Sequence, residues 1–238
     1  SGQYSPFGMV VADVDGDGKP DIIVSDYNNS IVSVYRNTCT PGNISSNLFA
    51  TRVDFVTGAQ PQGVEVRDID GDGKPDILVA NSGDGTVSIL RNTGMMGSLT
   101  TNSFAPKMDF ATGGGCQSVV VGDLDGDGLP DVVTANSGPS TLSLLRNISF
   151  PGNIAFAPKA DLTVPNGPVQ MAIGDLDGDG KRDLTVACYL SQTLSVFRNI
   201  SAVGSLTTNS FAPRADFPLG GRGHTPVLAD LDGDGKPD

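Results

Sequence analysis

The residues of this chain best suited to chemistry are aspartates, which gather in five short segments of one pattern. The first segment reads DVDGDGKPD at 13–21 and places four carboxylates and two glycines within nine residues. The pattern returns at 68–76, 123–131, 175–183 and 230–238. Like charges packed this closely repel one another unless a cation neutralises them. We therefore expect a metal ion at each segment.

Calcium suits this pattern because it takes about six to eight oxygen ligands in a flexible geometry. The predicted ligands are the carboxylates at the first, third, fifth and ninth positions and the backbone carbonyl at the seventh. They are Asp13, Asp15, Asp17, Lys19, Asp21; Asp68, Asp70, Asp72, Lys74, Asp76; Asp123, Asp125, Asp127, Leu129, Asp131; Asp175, Asp177, Asp179, Lys181, Asp183; and Asp230, Asp232, Asp234, Lys236, Asp238. Glycines at the fourth and sixth positions permit the positive φ that a wrapped loop requires. The sequence thus predicts up to five bound Ca²⁺ ions.

Two other interpretations of the acidic segments are magnesium sites and metal-free turns. Magnesium demands a tight octahedron and retains its waters, which fits a carboxylate-rich loop less well. Metal-free turns would leave twenty clustered carboxylates without a counter-charge, in a chain whose net charge is −12. Five divalent ions would offset ten of those charges. The chain has no basic stripe that could neutralise phosphates, so we do not expect nucleic acid as a partner.

The acidic segments recur at a nearly fixed period, with successive spacings of 55, 55, 52 and 55 residues. An apolar strand follows each of the first four segments, and an alternating strand such as TVSILRN at 86–92 comes next. A later strand such as FAPKMDF at 104–110 and a short strand before each segment complete the unit. Each unit is thus predicted to hold four short antiparallel strands, with the acidic loop between the first and second. The predicted units of this single repeat domain, 1–238, are about 1–55, 56–110, 111–162, 163–217 and an incomplete 218–238.

The loop D-x-D-G-D-G-x-x-D after a strand, followed by P-D-(I/L/V)-x-V, resembles the FG-GAP/VCBS repeats of integrin-α-type propellers. The resemblance covers essentially the whole chain. It implies an all-β fold, a β-propeller of four-stranded antiparallel blades with a calcium-binding loop between strands 1 and 2 of each blade. Such propellers commonly have seven blades. We therefore expect this chain to be part of a longer repeat array, since closure by five blades would need strands that the sequence does not contain.

Residues outside the acidic loops predict little further chemistry. Cys39, Cys116 and Cys188 lack ligand-like spacing, and two interpretations stay open: small buried or free thiols, or a Cys116–Cys188 bridge. His224 is the only histidine, and we expect it to face solvent. Recurring groups with an expected structural role are the phenylalanines of the FAP-x-x-DF strands and the acids Asp54, Asp109, Asp161 and Asp216.

Four N-x-S sequons are candidate glycosylation sites if the chain is secreted by a host with that machinery. They begin at Asn28, Asn43, Asn147 and Asn199.

These features favour an extracellular or cell-surface calcium-binding protein with a structural or adhesive role, such as a scaffold or filament component. Its expected partners are further copies of itself or other extracellular proteins. The alternative is a calcium-dependent lectin or adhesin that binds glycans or proteins, although the chain has no Trp to form a sugar platform. Catalysis is disfavoured because no nucleophile motif appears and the clustered aspartates are assigned to metal. No apolar run of about 18 residues predicts membrane insertion.

Overall fold

The computed structural model describes residues 3–42, 44–45 and 47–231, and within them sixteen strands form four sheets. We call these sheets blades 1 to 4. Blade 1 contains β1 (Pro6–Ala12), β2 (Asp21–Asp26), β3 (Ile31–Tyr35) and β4 (Val53–Val56). Blade 2 contains β5 (Pro61–Arg67), β6 (Asp76–Asn81), β7 (Thr86–Leu90) and β8 (Met108–Ala111). Blade 3 contains β9 (Cys116–Gly122), β10 (Asp131–Asn136), β11 (Thr141–Leu145) and β12 (Ala160–Thr163). Blade 4 contains β13 (Pro168–Gly174), β14 (Asp183–Cys188), β15 (Thr193–Phe197) and β16 (Ala215–Pro218), and a 3₁₀ turn at Thr208–Ser210 precedes β16. No helix in these residues has the length and apolarity needed to cross a bilayer.

Every blade is an antiparallel meander in which each strand pairs with the next one along the chain. The first strands of successive blades contact one another: β1 lies beside β5, β5 beside β9 and β9 beside β13. These strands approach so closely that a Cβ at Gly8 would lie 2.2 Å from the Gln62 carbonyl oxygen. Side-by-side packing through the first strands is the arrangement of propeller blades. The predicted all-β fold of four-stranded antiparallel blades is confirmed.

The hydrophobic core lies between the blades, in one cluster at each of the three interfaces. Between blades 1 and 2, Val34 and Phe55 of one sheet pack against Ile77, Leu90 and Phe104 of the other. The rings of Phe55 and Phe104 meet edge to face, with centroids 4.9 Å apart. A four-stranded sheet cannot bury both of its faces by itself, so each blade depends on its neighbours for stability. The predicted packing role of the FAP-x-x-DF phenylalanines is confirmed at this interface.

The strand predicted at 226–230, ahead of the fifth acidic loop, is not formed. Residues 219–231 lack strand structure, although Leu228 lies against Gly174 of blade 4 and this segment lines a cavity of about 310 Å³. A first strand is hydrogen-bonded to the second strand of its own blade, and the described part of the chain holds no such partner here. Of the fifth loop, Asp232, Asp234, Lys236 and Asp238 lie outside the described residues.

The three cysteines are free thiols, so the Cys116–Cys188 bridge is not formed. Cys116 lies in β9 of blade 3 and Cys188 in β14 of blade 4, and both are buried. Burial raises the pKa of each thiol to about 11. Both thiols therefore stay protonated at neutral pH and behave as small apolar side chains.

Candidate metal centre

Four acidic loops each bring three carboxylates together, and each loop joins the first strand of its blade to the second, as predicted. Within each trio, one oxygen of every residue lies within 4.8 Å of the others. The trios are Asp13, Asp15 and Asp17; Asp68, Asp70 and Asp76; Asp123, Asp125 and Asp127; and Asp175, Asp177 and Asp183. The first and third loop positions belong to every trio, and the fifth or the ninth completes it. A donor set of oxygens alone suits a hard cation such as Ca²⁺.

Backbone amides orient these carboxylates before any metal binds. In the second loop, the Gly71 and Gly73 N–H groups each donate to one oxygen of Asp68 at 2.8 Å. The Asp72 N–H donates to Asp70 Oδ1 at 3.2 Å. Both glycines adopt positive φ, 74° and 87°, which a side chain would strain. The loop backbone therefore wraps around the point where the carboxylates converge.

The ninth-position aspartate is the most buried carboxylate of each loop and also fastens the loop to its blade. Asp76 Oδ1 accepts a hydrogen bond from the Asn92 N–H at 2.8 Å, and Oδ2 accepts one from the Ile69 N–H at 3.0 Å. Burial raises the pKa of Asp76, and likewise that of Asp131, to about 7. A buried carboxylate of this kind retains its charge readily only when a cation is near. The loops therefore fit a bound cation electrostatically as well as in donor type.

An arginine at the end of each third strand reaches the same carboxylates, and the sequence analysis missed it. Arg146 Nε donates to Asp125 Oδ2 at 2.6 Å, and Nη2 donates to Asp127 Oδ2 at 3.0 Å. Arg36 makes the same fork to Asp15 and Asp17 in the first loop. The available signal was the Arg-Asn pair that closes every third strand, at 36–37, 91–92, 146–147 and 198–199.

The asparagine that follows each arginine connects neighbouring loops. Asn92 Nδ2 donates to the Val14 carbonyl of the first loop at 2.8 Å and to the Pro75 carbonyl of its own loop at 3.0 Å. Its Oδ1 accepts the Gly94 N–H at 2.9 Å. The same bonds recur at Asn147 and Asn199. Asn37 of blade 1 is the exception, since among the described residues its side chain bonds within its own blade.

Two of the four sequons coincide with these bridging asparagines. Asn147 and Asn199 are fully buried, and their amide nitrogens are each shared between two carbonyls. Burial disfavours a glycan at both positions in the folded protein, because a glycan would have to replace these bonds. Asn28 is exposed, and Asn43 lies outside the described residues.

In blades 2 to 4, the linker between the third and fourth strands lies on the acidic loop of the preceding blade. The Gly97 N–H donates to the Asp15 carbonyl at 2.7 Å, and the Gly204 N–H donates to the Asp125 carbonyl at 3.1 Å. A seventh-position lysine holds the same linker from within its own blade: Lys74 Nζ donates to the Gly94 carbonyl at 2.9 Å. The role of the seventh-position carbonyls as metal ligands stays a prediction.

Acidic residues outside the loops and the single histidine lie apart from these sites. Asp54 Oδ1 accepts a hydrogen bond from the buried Ser33 hydroxyl at 2.6 Å, and the equivalent bond occurs in every blade. This position is structural, as expected. His224 is exposed, and its ring meets that of Tyr189 with centroids 4.7 Å apart.

Comparisons with known proteins identify the repeat. The family model described as FG-GAP-like repeat matches residues 13–79, 68–134, 123–186 and 175–238. A search of curated proteins gave no significant match.

Solved structures share the fold at low sequence identity. BBS1N in complex with ARL6DN has a TM-score of 0.56 at 13% identity over 93% of this chain and 58% of that one. A functionally unknown protein from Desulfotomaculum acetoxidans DSM 771 has a TM-score of 0.56 at 15% identity over 91% of this chain and 62% of that one. The V. cholerae biofilm matrix protein Bap1 gives 0.49 at 22% identity over 93% and 30%. The chain thus spans less than two thirds of the length of these structures.

Proposed function

The chain belongs to the FG-GAP-like repeat family, and we propose that it is an extracellular calcium-binding repeat protein with a structural or adhesive role. One observation carries the calcium part of this proposal. The same converging trio of carboxylates, oriented by backbone amides, recurs in four successive loops. A cation in each loop would hold a buried carboxylate charged and would fasten the first two strands of the blade.

Calcium would contribute a substantial part of the stability. For an affinity of about 0.1 mM and a calcium concentration of about 1 mM, the free energy of unfolding rises by about 1.4 kcal/mol per site. Four such sites add about 6 kcal/mol, which is comparable with the net stability of a whole domain. An extracellular location would supply calcium at about that concentration.

Calorimetric titration of metal-depleted protein tests the calcium sites. We expect about one Ca²⁺ per described loop and a higher unfolding temperature in millimolar calcium than in chelator. Asp68→Asn should lower the stoichiometry by one, because it removes one of the three converging carboxylate charges of the second loop. Asp84→Asn is the matched control, since Asp84 is exposed and lies outside the loops. Absence of both binding heat and thermal stabilisation would contradict the proposal.

The structural part of the proposal is supported by the outer face of blade 1. Met9 and Val11 are 67% and 55% exposed. Val64 and Val66 occupy the same repeat positions in blade 2 and pack into the interface with blade 1. The exposed face of blade 1 therefore has the chemistry of an internal blade interface, and we infer that a further blade covers it, either from a longer repeat array or from a second copy of the chain.

Light scattering in calcium and in chelator tests this association. We expect assemblies larger than the 24.5 kDa chain, which Val11→Lys should disrupt. Ile44→Lys is the control, because Ile44 is an exposed loop residue outside this face. A strictly monomeric protein in calcium would refute the assembly and would favour the second candidate function.

That second candidate is calcium-dependent binding of a glycan or another extracellular protein. It rests on the stacked pair of Phe7 and Tyr27, whose ring centroids lie 6.1 Å apart, with Phe7 largely exposed. A glycan-binding screen with Phe7→Ala as the control variant tests it. We infer no catalytic role, because the clustered aspartates are engaged in the loops and the single histidine has only an aromatic neighbour described beside it.

A further inference from the structure

The four arginines at the ends of the third strands do not engage their loops equally. Arg36 and Arg146 fork onto the third- and fifth-position carboxylates of the first and third loops. Arg91 stays 3.9 Å from both Asp70 Oδ2 and Asp72 Oδ2, too far for a hydrogen bond. The positive charge of Arg91 therefore lies farther from the carboxylates of the second loop than the arginine charges lie from those of the first and third loops.

A neutral donor replaces the arginine in the second loop. The Gly152 N–H donates to Asp70 Oδ2 at 2.8 Å. The corresponding linker glycines of the neighbouring blades, Gly97 and Gly204, donate instead to main-chain carbonyls. The side chain of Asp70 is as fully buried as that of Asp125, so the two loops differ in charge pairing and hardly at all in exposure.

This difference originates in the length of the third repeat. The linker from Asn147 to Phe156 is three residues shorter than the linkers from Asn92 to Phe104 and from Asn199 to Phe211. It turns at Phe150 and Asn153, which form their own bridge, and this turn carries the Gly152 amide onto the second loop. The shorter repeat, which appears in the sequence as the 52-residue spacing, therefore changes the donor to the second loop: Asp70 accepts from a backbone amide there.

We propose that these arginines set the calcium affinity of the loops, so that the second loop fills before the first and third. The inference rests on the proposed calcium function and extends it. A guanidinium that pairs with two prospective ligands repels an incoming divalent cation, and the burial of the third-position carboxylate limits screening by salt. In calcium-free protein the same guanidinium neutralises the first and third loops and holds their carboxylates in place.

A site-resolved calcium titration by two-dimensional NMR tests the order of filling. The probes are the amides of Gly18, Gly73 and Gly128, each of which donates to the first-position aspartate of its own loop. We expect the Gly73 signal to reach its midpoint at a calcium concentration about fivefold to tenfold lower than the other two. A Gly73 midpoint at or above the others overturns the inference.

Charge-neutral variants test the cause. Arg36→Gln should lower the Gly18 midpoint about fivefold and leave the Gly128 midpoint unchanged. Arg91→Gln should move the Gly73 midpoint less than about twofold, because Arg91 donates no hydrogen bond to the carboxylates of its loop. Arg36→Lys, which keeps the charge, should stay close to the parent protein and so separates charge from side-chain geometry.

The outcomes distinguish this inference from the function on which it rests. Glycine signals that respond to calcium but do not shift in Arg36→Gln, or that shift to higher calcium, overturn the arginine role alone. Signals that never respond to calcium overturn the proposed function as well. If Arg36→Gln does not fold without metal, titration with chelator from the calcium-loaded state gives the same midpoints, and Arg146→Gln, followed at Gly128, provides an independent variant.

Discussion

Replacement of Asn147 by alanine measures how strongly one side chain holds two blades together. Asn147 Nδ2 donates to the Ile69 carbonyl of the preceding blade and to the Pro130 carbonyl of its own loop, both at 2.9 Å. Its Oδ1 accepts the Ser149 N–H at 2.9 Å. The backbone bond from the Asn147 N–H to Asp131 remains in the alanine variant. The substitution therefore removes only the three side-chain bonds.

The expected loss follows from the groups left without partners. A buried polar group without a hydrogen bond costs about 1–3 kcal/mol, and this variant leaves two carbonyls and one N–H in that state. With partial relaxation, we expect the free energy of unfolding to fall by about 3–5 kcal/mol. For a chain of this size, such a loss lowers the unfolding temperature by roughly 6–20 °C.

The repeat supplies a matched control in Asn37→Ala. Asn37 occupies the same position in blade 1 and makes the bonds to Pro20 and Cys39, but it makes no inter-blade bond to any residue that the structure describes. Its replacement should cost about 1–2 kcal/mol less than that of Asn147. Urea unfolding of both variants in saturating calcium gives the difference. Equal losses in the two variants would refute the idea that the inter-blade bond contributes to stability.

Two further predictions concern protonation and glycosylation. In calcium-free protein, the free energy of unfolding should fall by a few kcal/mol between about pH 4 and 7. The reason is that the folded-state pKa of Asp76 and Asp131 is about 7, above the unfolded value near 4, so their deprotonation opposes folding. Urea unfolding at several pH values should show a shallower decline in Asp131→Asn, and an unchanged slope would contradict this assignment. The second prediction concerns protein secreted from a glycosylating host. Glycopeptide mass spectrometry should find no glycan at Asn147 or Asn199, and any glycan on the described sequons should be at Asn28. A glycan on either buried asparagine of the folded protein would disprove this burial argument.

The blades could be predicted from the sequence because their signals are local and repeated. A strand such as β7 alternates apolar and polar residues along its length, and the glycines of an acidic loop indicate a backbone with positive φ at their positions. Because the acidic segment and the strand patterns recur along the chain, the repeat period could be recognised from the sequence. The converging carboxylates were predictable for the same reason, since the first, third, fifth and ninth positions all lie within one nine-residue segment.

The connections between blades could not be predicted in the same way. The bond from Asn92 to the Val14 carbonyl joins residues 78 positions apart, and no local pattern specifies it. The burial of Asn147 could not be predicted from its sequon, because a sequon is a local pattern whereas packing between blades buries that side chain. The predicted strand at 226–230 was wrong for a related reason, because its apolar pattern is present but the described part of the chain holds no neighbouring strand with which it could pair.

The path of hydrogen bonds through these asparagines explains why a metal in one loop should affect more than that loop. The Val14 carbonyl, at the second position of the first loop, accepts from the Asn92 side chain. The Asn92 N–H in turn donates to Asp76, the ninth-position carboxylate of the second loop. One residue, Asn92, therefore connects the first loop to the ninth-position carboxylate of the second. Because the same connection recurs at Asn147 and Asn199, a cation that orders one loop stabilises the interface with the next blade, and loss of calcium should loosen the blades as a linked series.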